Sequence, residues 1–240
     1  MQVTTAWKKR LLIVAIAAAS GAAAATPITY TGGTVGGDQG AIATFDFTDL
    51  GSTVGLTLTL TNTSNITDIA SILDDFHFLL SASPNSASFS GIASAGTVDC
   101  TASTNSVSSC SVDTSASGTN NTTGTWGIFR TGAQVDMYSS GNQIHPYGIV
   151  NNSILTQANL DGLRNGQHNP YLMGPVTFNI TLGLADVPTV SNVDFTFGTQ
   201  PLHVPGTPTP PPPSRDVPEP ATLALLGLGL LGLRRRFGVH

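Results

Sequence analysis

Glutamate occurs once in the 240 residues, at Glu219, lysine only at Lys8 and Lys9, and cysteine only at Cys100 and Cys110. Charged residues make up 10% of the chain and aromatic residues 7%, which excludes a coiled coil and a highly charged disordered polymer. Between residues 26 and 216 three arginines, Arg130, Arg164 and Arg215, stand against thirteen aspartates. A nucleic-acid partner calls for clustered Lys and Arg, so nucleic acid is excluded as a ligand. Acid–base work by paired carboxylates would have to use aspartates alone. No GxSxG, HExxH, GxxxxGK[ST] or EF-hand pattern occurs.

Six of the nine basic residues sit at the two ends, Lys8, Lys9 and Arg10 at one and Arg234, Arg235 and Arg236 at the other. The N-terminal cluster precedes "LLIVAIAAAS" and "GAAAA", the basic, apolar and small-residue regions of a secretory signal peptide. Residues 1–25 are read as that signal, with Ala23 and Ala25 as the small residues at the cleavage site. Export leads to an oxidising compartment, where a lone cysteine pair in a Ser/Thr-rich stretch without nearby His favours a Cys100–Cys110 disulfide over free thiols or a metal site.

The body, residues 26–203, reads as strands. In "TVGLTLTLT" Leu56, Leu58 and Leu60 alternate with threonines, and in "VTFNITL" Val176, Phe178, Ile180 and Leu182 alternate with polar residues, the period that turns one set inward. "IATFDF", "FHFLL", "GIFR", "QVDMY" and "NVDFTF" add five candidates bounded by turn formers. Short helices are expected in "TDIASILDDF" and "NSILTQANLDGL". Seven or more strands in so short a body need two packed sheets to keep their apolar faces dry, so the expected fold is all-β, an antiparallel, jelly-roll-like sandwich. The Ser-rich stretch from Ser81 to Thr125 is expected to hold long loops or an edge hairpin. Six Asn-x-Ser/Thr sequons, beginning at Asn62, Asn65, Asn120, Asn121, Asn151 and Asn179, read as solvent-facing polar positions.

From 204 to 217 the composition turns proline-rich, which favours polyproline II over a sheet ladder and makes a spacer of roughly 40 Å. Beyond it "PEP", Pro218, Glu219 and Pro220, precedes the uncharged run 221–233 and the arginine stop Arg234, Arg235 and Arg236. As a helix the run would be only about 20 Å long against a hydrocarbon core of roughly 30 Å, short for a lasting anchor and suited to a processing signal. The arginines hold its end on the cytoplasmic side, so the body lies outside. Each proline also pushes its predecessor toward extended backbone, the form a protease or transpeptidase cleft pairs with.

On these residues, in this order near the C-terminus, the segment 218–240 resembles the sorting region of PEP-CTERM proteins, the substrates of exosortase. The resemblance covers about a tenth of the chain. It implies an exported protein of a Gram-negative bacterium, held transiently in the inner membrane, cut near the motif by exosortase and left at the cell surface or in an exopolysaccharide-rich matrix. It implies a structural protein rather than an enzyme.

Other classes are weaker. "GLGLLG", Gly227 to Gly232, matches a dinucleotide fingerprint but lies inside the apolar run, without the helix N-terminus or acidic residue that motif needs. Asp74 and Asp75 at an expected helix end, and Asp46 and Asp49 flanking a turn, read as solvated. His77, His145, His168 and His203 lie far apart in sequence, so no metal site and no cofactor are expected. His77, between Phe76 and Phe78, is expected on the outer face of a strand. A carbohydrate-binding module using Trp126, Tyr138 and Tyr147 is the alternative function, with Trp126 as readily a core residue; a hydrolase with a dispersed site is the third.

Overall fold

A computed structural model describes residues 26–34, 37–65, 68–100, 110–114, 118–119, 126–139, 146–155, 159–163, 169–198 and 202–210. The expected signal peptide, residues 1–25, and the segment 211–240 lie outside them.

Two sheets form a sandwich, as the period-two pattern predicts. The first runs in the order β16 (Thr207–Thr209), β1 (Ile28–Gly33), β2 (Gly40–Asp49), β3 (Val54–Asn62), β13 (Val176–Leu182), β5 (Ala87–Ser94) and β8 (Gly118–Thr119). The second runs β15 (Leu202–Pro205), β14 (Val190–Phe197), β4 (Leu73–Leu80), β11 (Ile149–Val150), β12 (Tyr171–Met173), β6 (Thr97–Cys100) and β7 (Cys110–Asp113). The hairpin β9 (Trp126–Thr131) and β10 (Gln134–Ser139) joins it along β4. Its two-residue loop is opened by Gly132 at φ +62°, a conformation open to glycine without a Cβ penalty. All pairs are antiparallel except β11 with β12.

The alternating sets meet between the sheets. Phe45 of β2 packs on Phe78 of β4 at 5.1 Å between ring centroids, and Trp126 of β9 meets Phe178 of β13 edge-on at the same distance. Tyr30 of β1 donates its hydroxyl across the gap to the Val190 carbonyl at 2.6 Å. The opposite face of the first sheet carries hydroxyl pairs such as Thr59 with Thr177 at 3.2 Å and Thr29 with Thr44 at 3.4 Å.

Both expected helices are replaced. In the first segment a single 3-10 turn, Ile69–Ser71, is closed by reciprocal bonds between Asp68 and Ser71, and the chain then enters β4. Two neighbouring strands offer Phe76 and Phe78 a full ladder, which outweighs a short isolated helix. In the second, Asn151 caps one turn, Asn152–Ile154, and a second spans Asn159–Leu163. The i, i+3 spacing of Leu160 and Leu163 suits 3-10 geometry, and both residues pack with Val98, Tyr171 and Met173 in a small second core.

The Ser-rich stretch holds more structure than expected, since β5 pairs with β13 over six residues of register. The disulfide is present, joining Cys100 and Cys110 as direct partners across β6 and β7. The expected proline-rich spacer also begins later. Leu202–Pro205 pairs with β14 and Thr207–Thr209 with β1, with Pro208 opposite Tyr30. Proline is tolerated there because β16 ends its sheet, where a missing N–H need not be satisfied by a neighbour.

Candidate functional site

Two bulges shape the outer face of the second sheet. On β14 the register passes from Ser191↔Leu79 to Asp194↔His77, three residues against two, with Asn192 at φ +47°. That extra residue lets Val190 and Val193 both face the core and turns Asp194 outward beside His77. On β4 the register passes from Asp75↔Thr196 to Leu73↔Phe197, so Asp74 is the extra residue. Asp74 is 3% exposed, and burial first, then the neighbouring Asp75 charge, raises its pKa to about 8.

The outer face then carries two rows of side chains across four strands. Asp194, His77 and Asp136 are lateral partners on β14, β4 and β10. His203, Thr196, Asp75 and Tyr138 form the next row, from β15 to β10. His203 Nδ1 lies 3.0 Å from Asp194 Oδ1 and 3.4 Å from Thr196 Oγ1, and the rings of His77 and His203 are 6.1 Å apart. Asp75, His77, Asp136, Tyr138, Thr196 and His203 line one shallow concavity. Gln134 Nε2 holds Asp136 Oδ1 at 2.7 Å. One imidazole and one ring nitrogen–carboxylate pair, each on a different strand, make a face with polar donors for a cation or for hydroxyl groups.

Other residues singled out in the sequence fall elsewhere. Trp126 is a core residue, 3% exposed, with its indole N–H donated to the Tyr147 carbonyl at 3.0 Å. Tyr147 is half-buried against the same core, and Tyr138 alone of the three aromatics is exposed. His77 sits on the outer face, as its alternation predicts. Asp74 and Asp75 stand on a strand rather than a helix end, and Asp74 is buried rather than solvated. Asp46 lies within β2, while Asp49 accepts the Gly51 N–H at 2.7 Å in the following turn. The Asn62 sequon is not solvent-facing: its amide donates to the Ser71 and Ile149 carbonyls at 2.6 and 2.8 Å and its oxygen accepts the Ser64 N–H. Asn120, Asn121, His145, His168 and Arg164 lie outside the described residues, as do Ala23, Ala25 and the sorting residues Pro218, Glu219, Pro220, Arg234, Arg235 and Arg236. No helix among the described residues is long and apolar enough to cross a membrane.

The sequence reading missed the convergence of His77, Asp194 and His203. Period-two alternation alone turns Asp194 and His77 outward, but nothing local reveals that β14 and β15 lie beside β4.

Comparison with known proteins places the tail. A family model described as the PEP-CTERM protein-sorting motif matches residues 216–236. The chain carries that sorting motif, as its order of PEP, apolar run and arginines predicts. No curated protein and no solved structure matches the chain.

Proposed function

We propose that this exported chain, sorted through its PEP-CTERM motif, serves as a non-catalytic structural protein of the cell surface or the extracellular polysaccharide matrix. The motif at residues 216–236 carries the reading: it supports exosortase-dependent sorting and implies a membrane-associated step. A disulfide-closed sandwich with threonine hydroxyl pairs on an outer face also supports it. Neutral hydroxyls keep such a face wet and compatible with hydrated glycans without a dedicated cleft.

Carbohydrate binding is the second reading, favoured by exposed Tyr138 beside Asp75, Asp136 and His77 in one concavity. An aromatic face flanked by carboxylates suits a sugar ring. A polysaccharide pull-down with wild type and Tyr138→Ala separates the two, since a binding module loses retention in the variant and a structural protein does not.

The sorting step is tested in an exosortase-bearing Gram-negative host and in the same host lacking that enzyme. Glu219→Ala or Pro220→Ala leaves export intact while uncut precursor accumulates in the inner membrane. Neutralising Arg234, Arg235 and Arg236 also blocks cutting, but lets the short apolar run slip and sheds uncut protein into the periplasm. Fractionation with mapping of the C-terminus reads both outcomes. Identical uncut wild-type protein in the two hosts overturns the reading.

A further inference from the structure

We infer that His77, Asp194 and His203 form a binding site for a divalent transition-metal ion of the Zn²⁺ type on the outer face of the second sheet. Each residue offers one ligand atom, and the three atoms lie within 4.8 Å of one another. A tetrahedral ion with bonds of about 2.0–2.1 Å needs ligand atoms roughly 3.3 Å apart. His203 Nδ1 and Asp194 Oδ1, now 3.0 Å apart, need open by only a few tenths of an ångström. The remaining closure belongs to side-chain rotation, which His203 can supply because its side chain is 57% exposed while Asp194, at 17%, stays fixed.

The donor set selects the metal. Two imidazoles and one carboxylate suit Zn²⁺ and its transition-series neighbours, whereas Ca²⁺ and Mg²⁺ prefer all-oxygen shells. Three protein ligands leave a position open to water or to Asp136, which lines the same concavity beside His77. The ligands come from three adjacent strands, β4, β14 and β15. An ion there ties β15 to the middle of the sheet, and from β15 the chain continues to the sorting tail. Metal would therefore brace β15, which leads through β16 to the tail. Such a brace fits a structural protein and stands whether or not the domain binds sugar.

Zn²⁺ itself is the probe, titrated into the full-length chain in detergent against a chromophoric chelator, with Co²⁺ as a spectroscopic substitute. We expect one ion per chain and a rise in Tm of about 8 °C at a hundredfold excess over Kd. His203→Ala, on an exposed edge strand that should still fold, and Asp194→Asn each weaken binding at least about tenfold and remove the visible Co²⁺ band, with far-UV circular dichroism unchanged. Asp46→Asn and Asp49→Asn, on β2 of the other sheet, leave the affinity as it was. Absence of saturable Zn²⁺ binding overturns the proposal. So does an affinity that His203→Ala and His77→Ala leave unchanged.

Discussion

Replacing Asp74 by asparagine should make the protein more stable at alkaline pH and flatten the pH dependence of its folding. Asp74 is the extra residue of the β4 bulge, buried, and its Oδ1 has no hydrogen-bond partner among the described residues. Burial and then the Asp75 charge disfavour its ionised form, while backbone N–H groups of Asp74 and Asp75 oppose the shift only in part. The folded pKa is raised from 3.8 to about 8. Between those values the folded chain holds a proton that the unfolded chain has released, so stability falls as pH rises through the window. Below pH 3.8 the contribution is fully present, and above about pH 8 the loss is complete. At about 1.36 kcal/mol per unit, the loss between pH 5 and pH 8 is on the order of 4 kcal/mol. That is a large share of the roughly 5–15 kcal/mol by which folded domains are stable. Urea unfolding of wild type and Asp74→Asn at pH 5, 6.5 and 8 measures it, because only the difference between the two proteins isolates this carboxyl. The difference should move in favour of Asn by about that amount, and Asp75→Asn should shrink the wild-type slope by lowering the Asp74 pKa. A difference independent of pH, or one moving the other way, refutes the reasoning.

Two further outcomes test the sandwich. Reducing Cys100–Cys110, which closes a separation of 10 residues, should cost about 3 kcal/mol in the chain-entropy account and lower Tm by roughly 10 °C. Non-reducing peptide mapping should find the two cysteine peptides linked, and labelling of two free thiols would refute the bond. A Cβ on Gly127 would sit 2.5 Å from Tyr138 Cζ, and because that ring is exposed and can swing aside, Gly127→Ala should destabilise by no more than about 1 kcal/mol. Tyr138→Ala should relieve most of that cost in the double variant, and additive urea-unfolding energies would show that the ring does not lie on Gly127.

What could be read from sequence tracks how regular each strand is. β3 and β13 are straight, and their alternation pairs Leu60 with Val176 and Leu58 with Phe178 without a break. β5 pairs as firmly but hides, because its two large core residues, Phe89 and Ile92, stand three apart across a register shift that leaves Ser90 as the extra residue, among otherwise small residues. The bulges at Asn192 and Asp74 are equally hidden. Each adds one residue, and one residue inverts which side chains face the core. Thus Asp74 reads as a solvated helix-end residue and is a buried one. The His–Asp cluster needs still more: the neighbours of β4, the second neighbour of β14 and the direction of β15. No local pattern holds all three.

The edge of the first sheet adds a constraint that sequence composition conceals. β1 opens the described body and β16 closes it, and they pair antiparallel with Thr29 opposite Thr209. Residue 26, where the body begins after the expected signal peptide, and Pro210, where the described chain ends, therefore leave the sandwich at one corner. The expected signal peptide and the segment that carries the sorting motif both join the body there. Because the ladder runs through Thr209, only residues 210–217 remain as spacer before the PEP motif, about 25 Å at a polyproline II rise rather than the 40 Å of the longer segment. A chain leaving β16 cannot be drawn further toward the membrane without unzipping β16 from β1 and then β15 from β14. If the sorting enzyme acts near Glu219 as proposed, lengthening the segment after Pro210 with Gly-Ser repeats should leave processing intact, whereas deleting 210–217 should slow it while the sandwich stays folded. Equal processing of the deleted and wild-type chains, read by C-terminal mapping over time, would show that the enzyme reaches the motif without any spacer.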